Sequence, residues 1–233
     1  MVTVENTWKE VEDSGAEIVI IPIGAVEQHG PHLPLGTDWY AADRVAAQVG
    51  EQLNAYVLPA LPISNSQEHL DFRGSVSLRP QTLALVLEDI ILSLAHQGFG
   101  KFVIVNSHGG NWVVKPTIRD INFRHPELMV IMSNGTMPGD SAAIPPEIHA
   151  GAGETGAMLS SRPELVKDGA DDFTPSHGRE YLDYVGMKKV SPTGVWGMPS
   201  EADAEADRTA HIQHSVDYIH ATFAEIERLR GCD

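Results

Sequence analysis

Cysteine is nearly absent: Cys232 is the single one in 233 residues. No internal disulfide can therefore staple the fold, and thiolate ligation of a metal has no material to work with. Basic residues are also scarce, 16 Lys and Arg against 32 Asp and Glu, for a formal charge of −16. Without clustered cations to release counterions, the composition argues against nucleic acid as a partner. No apolar run is long enough to span a bilayer. Residues Met1 to Asn6 carry neither the basic nor the apolar stretch of a secretory leader. The expectation is a protein of the reducing cytoplasm with no membrane partner. Repeats, low-complexity tracts and linker-like charge runs are missing too, and the length suits one substantial core, so residues 1–233 are read as a single domain.

What is present is a succession of βα units. Glu17 to Ile23 is a short, continuous apolar run rich in β-branched residues, as in a strand buried on both faces. Helical spacing from Trp39 to about Leu53 follows, then a strand from Ala55 to Leu58. Ser77-Leu78-Arg79-Pro80 opens a helix that runs to about His96, and Lys101 to Asn106 is a third strand. Asn111 is the expected cap of a helix ending near Arg124, and Leu128 to Met132 is a fourth strand. The repeat predicts an α/β protein with right-handed crossovers and a parallel sheet covered by helices on both faces. Residues 134–147 and 168–200 read as long loops, functional or mobile. A helix from about Ala204 to Leu229 closes the chain, with His211, His214 and His220 on a solvated or packed face.

The chemistry gathers at strand ends, where open α/β sheets bind their ligands. After the first strand comes Glu27-Gln28-His29-Gly30-Pro31-His32, then Gly36-Thr37-Asp38. Glu27 and His29 are two apart, so in extended chain they point to one side. His108 follows the third strand, and His149 and Glu154 follow the fourth among small residues. Glu27, Asp38 and Glu154 brought together would repel by about 4 kcal/mol per pair at 4 Å and an effective dielectric of 20, a penalty that a divalent cation removes. Glu27, His29, Asp38, His108, His149 and Glu154 thus point to a metal site, and imidazole with carboxylate but no sulfur suits Zn, Mn or Fe(II). A bridging carboxylate such as Asp38 would allow two ions side by side. The turn Ser107-His108-Gly109-Gly110-Asn111 could cradle a substrate carboxylate or phosphate with its backbone N–H groups. It lacks the spacing of a phosphate loop or a dinucleotide fingerprint, and no Gly-x-Ser-x-Gly elbow appears elsewhere. A metal-activated water is the better nucleophile.

Pro22 to Gly30, Asp38, Asn106 to Asn111 and Glu154-Thr155 together resemble the creatininase (creatinine amidohydrolase) family over about residues 7 to 165, including Glu68-His69 and Phe72-Arg73-Gly74-Ser75. The resemblance implies a three-layer α/β/α sandwich, usually a homohexamer, with a two-metal centre that hydrolyses C–N bonds in small cyclic amides, formamides or related substrates. It also implies that Glu27, His29, Asp38, His108 and Glu154 are the metal ligands, that Asp38 bridges the ions and that His149 assists proton transfer to the leaving group. Two departures count against creatinine itself. Gly109-Gly110 stand where creatinine-hydrolysing members carry Tyr-Glu, and residues 130–148 lack the tryptophans that cover that substrate. Trp112 or Trp196 would have to enter from elsewhere. Glu68, His69 and Arg73, with Gly109 and Gly110, are the candidate substrate contacts. The competing readings are the same centre acting on a peptide terminus, a formylated pyrimidine or a cyclic keto-sugar, and a metal-stapled subunit without turnover.

Overall fold

Strands β1 (Ile18–Ile23), β2 (Tyr56–Val57), β3 (Lys101–Asn106) and β4 (Met129–Asn134) pair in parallel in the order β2-β1-β3-β4. The structure, a computed structural model, describes residues 1–134 and 147–231. Successive strand side chains point to opposite faces, and here both faces are buried. Val19, Ile21, Phe102, Ile104 and Val130 meet the helices α3 (Pro80–Ala95) and α4 (Val114–Arg124) on one side. Ile20, Val103, Val105 and Ile131 meet α2 (Thr37–Leu53) and α7 (Thr209–Arg230) on the other. The continuous apolar runs thus become the middle layer of a three-layer α/β/α sandwich.

The connection from β1 to β2 moves one way across the sheet over one face, and those through α3 and α4 move the other way over the opposite face. Constant crossover handedness requires this. The two directions diverge between β1 and β3, which leaves a crevice beyond their carboxyl ends. Ile23 pairs in register with Asn106, and Ser107 N–H donates to Ile23 O at 3.0 Å, so both chains leave the sheet at the same height.

Several boundaries differ from the sequence expectation. Helix α2 starts at Thr37, which brings Asp38 into its first turn. Asn111 does not cap α4, which starts at Val114. Its side chain instead donates to Asn106 Oδ1 at 2.9 Å and accepts from Asn65 N–H at 3.2 Å, pinning the turn that carries His108. The closing helix begins at Thr209 rather than near Ala204. Two helices appear where none was read: α1 (Trp8–Asp13), held by a capping box between Thr7 and Glu10, and α5 (Ala152–Ser161), with Glu154 in its first turn. The 168–200 stretch contains the short α6 (Met187–Val190) and 3-10 turns. The earlier long loop, apart from its ends, lies outside the described residues.

Candidate metal centre

Each element delivers its donor for a local reason. The turn after β1 is folded by the Gly30 N–H, which donates to Gln28 Oε1 at 2.9 Å with Gly30 at φ +67°. That turn brings Glu27 and His29 inward. Gly24 lets α2 approach, since a Cβ there would meet the Trp39 backbone and drive Asp38 away. The pinned turn after β3 presents His108. Residue 149 bonds the Trp196 backbone in both directions, at 3.0 and 2.8 Å, which holds His149 against the cluster, while Ala150 takes a left-handed φ of +53° so that the chain can turn into α5.

The result is a nest of buried carboxylates and imidazoles. Glu27 is 0% and Asp38 3% exposed. Asp38 Oδ1 lies 3.2 Å from His29 Nε2, and Asp38 Oδ2 lies 3.1 Å from His108 Nδ1. His29 Nε2 is 3.7 Å from Glu154 Oε2, and His108 Nε2 is 3.2 Å from Glu27 Oε2. Among the described residues, three overlapping sets have donor atoms close enough to share an ion: Glu27, Asp38 and His108; His29, Asp38 and Glu154; and Glu27, His29 and His149.

The hydrogen bonds decide which atoms face inward. His29 Nδ1 donates to Glu27 O at 3.1 Å, His108 Nε2 to Asn65 O at 2.8 Å and His149 Nε2 to Gln28 O at 2.6 Å. In each neutral ring the other nitrogen is then a lone pair aimed at carboxylate oxygens, an arrangement that needs positive charge between them and that fixes ligand orientation in metal sites. The same demand shows in the acids. Among the described residues, neither Glu27 oxygen nor Asp38 Oδ2 finds a well-formed hydrogen bond, although all three are buried. Orphaned anionic acceptors of this kind are costly unless a cation satisfies them. The residues present therefore fit divalent metal.

Proton affinities follow the same logic. Burial pulls His29 and His108 down, but the facing carboxylates, Asp38 and Glu154 for His29, Glu27 and Asp38 for His108, outweigh it and lift each to about 10. Burial raises Glu27 to about 8. Burial also acts upward on Asp38, yet His29 and His108 hold it far below the usual carboxylate range. His149 lies well below an ordinary histidine through burial, then His29 and His69. With no metal bound, two imidazolium ions supply the missing charge.

A model of the creatininase family, described as creatinine amidohydrolase, matches residues 4–223. The chain belongs to the creatininase family. Members of this family are metal-dependent hydrolases of C–N bonds. The chain is 32% identical over 209 residues to the mycofactocin precursor peptide peptidase of Mycobacterium tuberculosis (strain ATCC 25618 / H37Rv), covering 82% of this chain and 78% of that protein. It is 30% identical over 187 residues to the creatinine amidohydrolase of Pseudomonas putida, covering 70% and 72%. A crystal structure of creatinine amidohydrolase superposes with a TM-score of 0.77 at 26% identity, over 97% of this chain and 98% of that one. Solved creatininases of this fold include a Zn-Zn form and a Mn form. A 3-dehydro-scyllo-inosose hydrolase of Thermotoga maritima is more distant, 26% identical over 69% of this chain and 56% of that protein.

Within this creatininase fold, the structure brings Glu27, His29, Asp38, His108, Glu154 and His149 together. His69 does not line an outer substrate loop. It is buried in the cluster, with Nε2 3.3 Å from Glu27 Oε1, its ring centroid 4.6 Å from that of His149, and Nδ1 accepting from Gln28 Nε2 at 2.9 Å. Arg73 is exposed at the surface. At Gly110 the Glu68 carboxylate and the His108 ring fill the space that a side chain would need, which sets a carboxylate against the turn. Trp196 is fully buried in the core, whereas Trp112 is 60% exposed beside Glu68 in a cleft of about 760 Å³. His211, His214 and His220 are exposed on α7.

Proposed function

We propose that this creatininase-family protein is a dinuclear amidohydrolase that cleaves a C–N bond in a small amide. In this reading Glu27, Asp38 and His108 hold one divalent ion, and His29, Asp38 and Glu154 hold the other. The double use of Asp38 carries the reading: its two oxygens face different histidines, at 3.2 and 3.1 Å, as a carboxylate shared by two ions requires. Zinc or manganese suits the sulfur-free donor set. When bound, such ions lower the pKa of water to roughly 7 and polarise a carbonyl.

The protein's own part in proton transfer falls to His149. Its Nε2–H is committed to Gln28 O at 2.6 Å, and Nδ1 faces Glu27 Oε1 at 3.7 Å. Its low proton affinity leaves the ring neutral at pH 7, so Nδ1 begins as a base. It takes a proton from the attacking water and returns it to the departing nitrogen, which then leaves as an amine. His69, locked by Gln28, packs on the His149 ring and holds its plane. Glu68, Gly109 and Gly110 remain in the proposal as walls of the cleft beside His108, which suits a neutral or cationic part of the substrate. Arg73 has no place in it. The family resemblance extends the proposal to a homohexamer, which light scattering after size exclusion checks.

His149 also shares a ligand set with Glu27 and His29, which supports a second reading of it as a ligand. His149→Ala separates the two. Turnover falls by about 10²–10⁴-fold with metal content intact if it carries protons, whereas loss of metal reassigns it. The main test is metal content per chain. Wild type is expected to retain about two zinc or manganese ions and Asp38→Ala to lose both. A wild type that takes up none, or an Asp38→Ala protein that keeps both, rejects the reading. Formamide, lactam, dipeptide and keto-inositol substrates presented to the loaded enzyme then separate the substrate classes.

A further inference from the structure

We infer that the substrate carries an anionic group, a carboxylate or a phosphate, and that Arg44 and Arg208 bind it in the cavity that opens onto Asp38 and Glu154. The inference rests on the metal-centre reading above and adds the chemical class of the substrate.

The cavity, about 440 Å³, has the size of a small-molecule site. Arg44, Arg208 and His211 line it together with the two candidate ligands. Arg44 stands on α2, the helix that delivers Asp38, so one rigid element sets the spacing between cation and metal position. Arg208 lies just before α7 and reaches over Gly156 of α5, where a Cβ would come within 2.6 Å of its Nη2. Its guanidinium donates to Asp203 O at 2.8 Å and Ala206 O at 3.0 Å. Those carbonyls orient the fork without neutralising it. Both arginines are half-buried, and among the described residues neither has a carboxylate partner. Burial, then the charge of Arg208, lowers the proton affinity of Arg44. In a chain with twice as many acids as bases, two adjacent cations left unpaired in a cavity make a site that an anion completes. Guanidinium forks match carboxylate and phosphate alike.

The other acids of the cavity do not cancel this. The Glu147 carboxylate accepts from Ala152 N–H at 2.8 Å and Gly153 N–H at 2.7 Å, at the start of α5. Asp38 and Glu154 are turned toward the histidines. The cleft on the far side of His108 has the opposite character. Glu68, Glu180 and Asp183 line it, and its Arg179 is tied to Gly109 O at 3.0 Å. Charge thus sorts the two openings, and the anionic end belongs on the arginine side.

The test is calorimetric binding to the zinc-loaded protein of N-formylglycine, its neutral amide N-formylglycinamide, and N-formylaminoethyl phosphate. At least one anionic probe should bind about tenfold or more tightly than the neutral one. Arg44→Gln should erase that advantage while leaving neutral-probe affinity and zinc content unchanged. The anion that loses more identifies the resident group. Equal binding of charged and neutral probes, no binding of either anion, or a preference that survives R44Q/R208Q overturns the inference. Failure of the metal reading shows separately, as absent zinc. A zinc-loaded protein indifferent to charge sinks only this inference.

Discussion

Protons and metal ions compete for the same lone pairs in this cluster. His29 and His108, lifted to about 10 by their carboxylates, hold protons at neutral pH that an incoming ion must expel. Zinc affinity should therefore rise with pH between about 6.5 and 10, and calorimetry in buffers of different ionisation enthalpy should register proton release; pH-independent uptake with no released proton would contradict the assignment. Gly110→Ala tests the crowding beside His108. Its methyl group would overlap the Glu68 carboxylate and the imidazole, which should destabilise the protein by about 1–3 kcal/mol and depress activity, as read by urea melts and turnover. The candidate acids and histidines were legible in the sequence because they stand beside small residues in the segments that follow β1, β3 and β4, with Asp38 and Glu154 in the first turns of the helices beyond. The place of His69 inside the cluster was not. That residue enters only because the 3-10 turn Gln67–His69 folds back and Gln28, far away in sequence, fastens its ring. Arg44 lies within a helical pattern that says nothing about which cavity it lines.

Among the elements, β3 spans the residues its apolar run marks, since a strand buried on both faces has no alternation to blur its ends. β2 is shorter than the run from Ala55 to Leu58. After Leu58 N–H donates to Ile20 O at 3.0 Å, Pro59 has no N–H to continue the ladder. Asn111 resembled a cap, but its amide was drawn into bonds with Asn65 and Asn106 that no local rule reveals. The capping box of α1 was readable as Thr7-x-x-Glu10, although no buried residue accompanies it. The sheet carries the stability. Ile104→Ala, at a fully buried position in β3, should cost about 2–5 kcal/mol in urea denaturation, far more than an exposed change such as Leu85→Ala on α3.

For the whole molecule, the cluster sets how stability depends on pH when no metal is bound. His29 and His108 bind protons more tightly folded than unfolded, so their contribution is complete below about 6.5 and disappears as pH rises through about 10. Glu27, raised to about 8, acts in the same direction from its ordinary 4.5 upward. Metal-free protein should accordingly lose Tm as pH climbs from about 6.5 to 10, while zinc-loaded protein changes little. A metal-free Tm that rises over this window would count against the charged-histidine account.

The in-register pairing of Ile23 with Asn106 has one more effect. A slip of one position would displace His108 by about 3.3 Å along its strand and turn alternate side chains to the wrong layer. Loading with metal would thereby report on alignment: a chain whose sheet had closed out of register would hold its donors too far apart to share the ion.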